Sequence, residues 1–177
     1  MLRIANLIVS ILVVAFLSAC ASGVQRMDGA VVTGASKPLT NQTVRTVSLW
    51  LSDDAKKLVQ DNLKFNQDTL KSTIERGMQG QSLIKPDSTQ TMEVEITSFR
   101  TRSNFSAIMF GFMAGNDNIE GVVTVKDASG VVLKRAKVNA SYALGGLAGG
   151  QDDARMGWLY EEFAKHAVAE LTGVTAK

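Results

Sequence analysis

The chain has 177 residues, 19 basic against 17 acidic side chains, and a single cysteine and a single histidine. That length suits one domain with its own core. The near-neutral balance excludes the clustered basic excess of a nucleic-acid binder and provides no polyanionic tail; one thiol excludes any disulfide within the chain.

The first twenty residues read as a leader. Arg3 supplies a positive start, and Ile4 to Phe16 form an apolar stretch broken by Asn6 and Ser10. Leu17-Ser18-Ala19-Cys20 follows. A stretch this short, ending in small residues, behaves as a secretory signal and not as a membrane span. The tetrapeptide resembles the lipobox of bacterial lipoproteins. The resemblance implies a diacylglyceryl thioether on Cys20, cleavage before it, and a palmitate-type acyl amide on the new amino terminus. Two or more acyl chains hold a protein on a membrane stably, where one does so only marginally. Ala21 is not the aspartate typical of inner-membrane retention, so the resemblance implies the outer membrane, facing the periplasm. The expected organisation is a signal peptide over 1–19, a lipidated cysteine with a flexible tether over 20–43, and one α/β domain over 44–174.

Residues 21–43 carry Gly23, Gly29, Gly34 and Pro38 with little periodicity, which is tether composition. Val44, Val47, Leu49 and Leu51, with Trp50 among them, predict a first strand. Ser52-Asp53-Asp54 is a helix start, and the chain is helical in composition from there to Met78. Leu63, Leu70, Ile74 and Met78 recur at helical spacing, a break is expected near 62–67, and Gly77 and Gly80 end the helix. Ser82-Leu83-Ile84-Lys85, halted by Pro86, reads as a brief strand. Met92, Val94 and Ile96 alternate with Glu93, Glu95 and Thr97, predicting a strand with one buried face that continues towards Arg102. Ile119–Lys126 and Val131–Tyr142 are two further strands, joined by Asp127-Ala128-Ser129-Gly130 as a hairpin turn with positive φ at the glycine. Finally, Met156, Leu159, Tyr160, Phe163, Ala164, Ala167 and Leu171 share one arc of a helix over about 153–171. The predicted fold is α/β (α+β), a two-layer sandwich with two helices on one face of a mostly antiparallel sheet.

Residue types for catalysis are scarce. His166 sits at the edge of the apolar arc, where a structural role outweighs a catalytic one. No second His and no free Cys complete a metal shell. Asp117 and Asp152-Asp153 are the carboxylates available for a cation, and the latter pair suits a helix start. Gly145-Gly146-Leu147-Ala148-Gly149-Gly150 lacks the lysine and Ser/Thr of a phosphate loop, and Glu93 with Glu95 occupies a solvated strand face. No catalytic residue, cofactor or metal is therefore expected. The segment Phe105-Ser106-Ala107-Ile108-Met109-Phe110-Gly111-Phe112-Met113-Ala114-Gly115 stands out, interrupting two strands and too short to span a bilayer. It reads either as a buried turn or a short helix filling the core, or as an exposed apolar contact surface, for which Met and Phe are suited. If exposed, Phe105, Ile108, Met109, Phe110, Phe112 and Met113, together with Leu147, carry partner binding. Both loops fall at one sheet end if the two flanking strands are neighbours.

The lipobox, the segment Phe110–Gly115, the hairpin from Val122 to Leu133 and the glycine loop before the last helix resemble those of small proteobacterial lipoproteins known only as a domain of unknown function. More remotely, the element order is similar to envelope lipoproteins that activate cell-wall synthases or assist secretion. The resemblance implies a fold and an envelope location and brings no catalytic residues. The expected function is a non-enzymatic, lipid-anchored module that binds another envelope protein. A self-assembling homo-oligomer is the alternative. A third reading, an envelope hydrolase or glycan-binding enzyme, needs a pocket gathering groups such as Asp117, Asp152, Arg155 and His166.

Overall fold

The computed structural model describes residues 23–26, 43–103, 115–142 and 152–172. They form strands β1 (Gly23–Arg26), β2 (Thr46–Leu51), β3 (Thr91–Arg100), β4 (Asp117–Lys126) and β5 (Val132–Tyr142), with helices α1 (Asp53–Leu58), α2 (Gln67–Gly80) and α3 (Asp152–Thr172). The sheet order is β1-β5-β4-β3-β2. Only β2 and β3 run parallel, joined by the α1–α2 crossover; the other pairs are antiparallel. This is the expected α+β class, a mostly antiparallel sheet with helices over one face.

The strand pattern follows from alternation. Val47, Leu49 and Leu51 on β2 stand in register with Met92, Val94 and Ile96 on β3, and these with Val125, Val123 and Gly121 on β4. One buried apolar layer results, covered by Leu70, Ile74 and Met78 of α2 and by Leu159, Phe163, Ala167 and Leu171 of α3. The opposite face is polar; there Glu93 pairs with Lys126 at 2.6 Å. The hairpin turn takes its predicted form. Asp127 Oδ1 accepts hydrogen bonds from Ser129 N–H at 2.9 Å and Val131 N–H at 3.0 Å, and Gly130 has φ +83°.

The helix break falls where expected, and capping explains it. Ser52 Oγ accepts from Ala55 N–H at 3.2 Å to start α1, and Asn66 Oδ1 accepts from Thr69 N–H at 2.9 Å to start α2. Between them Phe65 turns inward and stacks on Phe99, ring centroids 4.0 Å apart, with Tyr160 edge-on at 6.1 Å. Tyr160 Oη also accepts from Asn66 N–H at 2.6 Å, tying α3 to the start of α2.

Four local expectations change. Leu63 lies in the break, not on a helix, and is exposed. Gly77 lies inside α2, which runs on to Gly80; a Cβ there would stand 3.7 Å from Val168 on α3, so the two helices pack closely at this point. The brief strand at 82–85 reduces to one bridge between Val44 and Ile84. Within the stretch expected to be tether, Gly23–Arg26 pairs with β5 as an edge strand.

Gly121 is set by close approach. A Cβ there would meet Glu95 O at 2.8 Å, Phe163 Cζ at 3.0 Å and Ile96 Cδ1 at 3.2 Å. Gly121→Ala is therefore expected to lower stability by about 1–3 kcal/mol through overpacking, and Phe163→Ala by about 3–5 kcal/mol through the cavity it opens; urea unfolding of both variants measures this. Burial pushes the Tyr160 phenol above its ordinary value of 10.0, the Asn66 N–H pulling partly the other way. A raised folded value means that this contribution is fully present below the unfolded value and is lost as pH rises through the folded one. Tyr160→Phe is expected to cost about 0.5–1.5 kcal/mol at neutral pH, and its stability to fall less steeply than that of the parent above pH 10, as read by urea titrations across the alkaline range.

Candidate functional site

The site grows from the ends of three strands. β3 ends at Arg100 with Arg102 two residues beyond it, β4 begins at Asp117, β5 ends at Tyr142, and Arg155 lies in the first turn of α3. These four residues meet. Asp117 Oδ1 accepts from Arg102 N–H at 2.6 Å, and Oδ2 accepts from Arg102 Nη2 at 3.0 Å. Arg155 Nε stands 3.5 Å from the same Oδ2, and its Nη2 donates to Arg102 O at 3.0 Å. Arg102 Nη2 also donates to Tyr142 O at 3.3 Å. The side chains of Arg102, Asp117 and Arg155 are 1%, 1% and 3% exposed, so one carboxylate is buried against two guanidiniums.

Neighbouring contacts extend the arrangement. Asn62 Oδ1 accepts from Thr101 N–H at 2.8 Å and from its hydroxyl at 3.0 Å, which holds the α1–α2 break against the end of β3. Asn116 Nδ2 donates to Ser141 Oγ at 3.0 Å. Gly115 has φ +82°, a left-handed conformation that favours glycine, and a Cβ there would stand 2.6 Å from the flexible end of Arg100 at Nη1. A small recess lined by Lys64, Thr101, Arg102, Asp117, Arg155 and Met156 lies over the ion cluster.

The chemistry open to this cluster is limited by its own bonds. Both oxygens of Asp117 are committed to arginine, and two adjacent guanidiniums oppose a cation. Of the four groups a pocket would have to gather, Asp117 and Arg155 come together. His166 does not join them: it is buried about 16 Å further along α3, with Nε2 3.2 Å from Glu162 Oε1. The Asp152 side chain lies outside the described residues, as do Cys20, Phe105, Ile108, Met109, Phe110, Phe112, Met113 and Leu147. Among the described residues no three His, Cys, Asp or Glu side chains converge as a metal site, and no helix is long and apolar enough to cross a membrane.

What the geometry does establish is adjacency. The chain leaves the described fold after Ser103 and re-enters at Gly115; it leaves again after Tyr142 and re-enters at Asp152. Both departures and both returns flank the ion cluster. Arg102 is the charged member of this cluster that sequence reasoning did not include. Its only signal was a charged residue at the end of an alternating strand, ahead of an apolar run.

A family profile described as a domain of unknown function, DUF4410, matches residues 21–146. The chain belongs to this family. The DUF4410 match spans all five strands, α1 and α2 and stops before α3, so Arg102, Asp117 and Tyr142 lie inside it and Arg155 outside. No curated protein matches the sequence. Among solved structures, a PelC dodecamer from Paraburkholderia phytofirmans is 12% identical, covers 84% of this chain and 97% of its own, and gives a TM-score of 0.46. A second PelC dodecamer structure from that organism gives 8%, 89%, 99% and 0.42 in the same order. A minor lipoprotein from Acinetobacter baumannii is 7% identical, covers 73% of this chain and 93% of its own, with a TM-score of 0.42.

For this DUF4410 domain, Asp117→Ala is expected to cost about 3–5 kcal/mol, because it leaves two buried guanidiniums without a counter-charge. Replacing Arg102, Asp117 and Arg155 together by apolar residues of similar volume should cost less than Asp117→Ala alone. Guanidinium-chloride unfolding of the two variants distinguishes these outcomes.

Proposed function

We propose that this protein is a non-enzymatic lipoprotein, anchored in the outer membrane through acylated Cys20 and facing the periplasm, that binds another envelope protein. The observation that carries the reading is the convergence of Arg102, Asp117, Tyr142 and Arg155, which flank residues 104–114 and 143–151 and bring the stems of both segments to one end of the sheet. The first segment holds Phe105, Ile108, Met109, Phe110, Phe112 and Met113, and the second holds Leu147. Two apolar segments on a common rigid base make an adaptable contact surface. The anchor confines the domain to a surface, which raises its effective concentration towards partners held on the same membrane.

Both halves of the reading can be tested in cells. Cys20→Ser is expected to move the protein from the membrane fraction to the soluble fraction. A photoreactive side chain at position 110 is expected to give one dominant adduct with another envelope protein by mass spectrometry; adducts only with itself indicate self-assembly instead. In the chain without the photoreactive group, replacing Phe110 and Phe112 by Ser is expected to abolish co-purification of the partner so identified and to change stability by no more than about 0.5 kcal/mol, as exposed positions do. A collapse in stability would show that these rings are core.

A further inference from the structure

The register of β1 determines where the anchor joins the fold. Gly23 pairs with Asn139 and Arg26 with Ala136. Along β5, Asn139 stands three residues before Tyr142, about 10 Å from the end bearing the ion cluster, and seven after Val132, about 23 Å from the hairpin end. Cys20 precedes Gly23 by three residues, and three residues of chain span at most about 11 Å. The anchor is thus leashed close to the sheet end where Arg102, Asp117 and Arg155 meet.

That same end exposes apolar side chains on rigid supports. Leu63 is 84% exposed, Trp158 42% and Val59 36%. Leu63 and Val59 belong to the α1–α2 break that Asn62 ties to Thr101 at 2.8 Å. Trp158 lies one turn beyond Arg155, its ring 4.9 Å from that of Tyr142. The other large apolar side chains exposed among the described residues stand elsewhere: Trp50 on the far edge strand β2, and Val131 at the hairpin.

We propose that this end of the domain rests on the phospholipid bilayer that holds the Cys20 acyl chains, with Leu63, Val59 and Trp158 entering its interfacial layer. The proposal rests on the lipid-anchor half of the reading above. Two independent features carry it: the shortness of the leash, and the placement of exposed apolar groups at the end to which the leash leads. Tryptophan suits the position, because its ring is apolar while its N–H remains able to bond in the wet headgroup layer. A partner engaged by residues 104–114 is then met at the membrane surface.

Tryptophan quenching in vesicles tests the orientation. The full-length protein is purified from membranes and its intact mass measured, then reconstituted into phosphatidylethanolamine–phosphatidylglycerol vesicles with brominated acyl chains, which quench tryptophan at short range. Three variants are compared: Trp50→Phe, which reports Trp158; Trp158→Phe, which reports Trp50; and the double Phe variant carrying Val131→Trp. Trp158 is expected to lose most of its emission while positions 50 and 131 keep theirs. With acylation confirmed, an unquenched Trp158, or equal quenching at 158 and 131, overturns the orientation and leaves the lipoprotein reading intact. An unacylated Cys20 overturns both.

Discussion

One carboxylate holds together the end of this domain where three strands and the last helix meet. Asp117 is fully withdrawn from solvent between Arg102 and Arg155, and each partner comes from a different element. A buried charge is tolerated only when it is paired and hydrogen-bonded. The ends of β3, β4 and β5 and the start of α3 must therefore sit in one relative arrangement for this cluster to form at all. An ion cluster is thus found where the chain twice leaves the described fold, and there it fixes the spacing of all four stems.

Much of the fold was legible because it obeys simple periodicities. Met92, Val94 and Ile96 alternate as a half-buried strand must, Asp127 and Gly130 carry the chemistry of a tight turn, and the arc from Met156 to Leu171 has a helical period. What was not legible depends on non-local partners. Gly23–Arg26 has no alternating pattern and becomes a strand through its pairing with β5. Leu63 continues the helical spacing of α2, yet Asn66 caps that helix afterwards and leaves Leu63 outside it. Of the site, the convergence of two segments at one sheet end could be argued from strand order. The burial of Arg102 could not, because an arginine at a strand end normally faces water, and only the positions of Asp117 and Tyr142 across the sheet make it otherwise.

The two edges of the sheet are handled differently, which bears on how the domain meets other molecules. At one edge β1 pairs with Ala136–Asn139 of β5, covering that part of the strand with the chain that leads to Cys20. At the other, β2 is only six residues long, and Gln67 Nε2 donates to Leu49 O at 3.0 Å, occupying a carbonyl that would otherwise be open to an added strand. Short or covered edges discourage edge-to-edge pairing. Strand addition is accordingly a poor route to partners here, and contact through the end where the chain twice leaves the described fold is the better one.

A lipid anchor on a long flexible tether leaves a domain free to tumble, and any of its surfaces can then face the membrane. Pairing of Gly23–Arg26 with β5 removes most of that freedom. Only Ala21 and Ser22 stand between Cys20 and the first strand, so in the proposed lipoprotein anchoring and orientation become one constraint. In the proposed orientation the hairpin at Asp127–Gly130 is turned away from the bilayer, and the polar sheet face and the helical layer are the sides of the molecule. A soluble periplasmic partner can then reach only those sides and the hairpin, while a membrane-embedded one meets the apolar segments. In that orientation the ion cluster has a structural reason to lie at this end. Exposed apolar groups that must sit at a fixed height above a bilayer need a rigid base, and buried paired charges supply one that does not depend on further apolar surface.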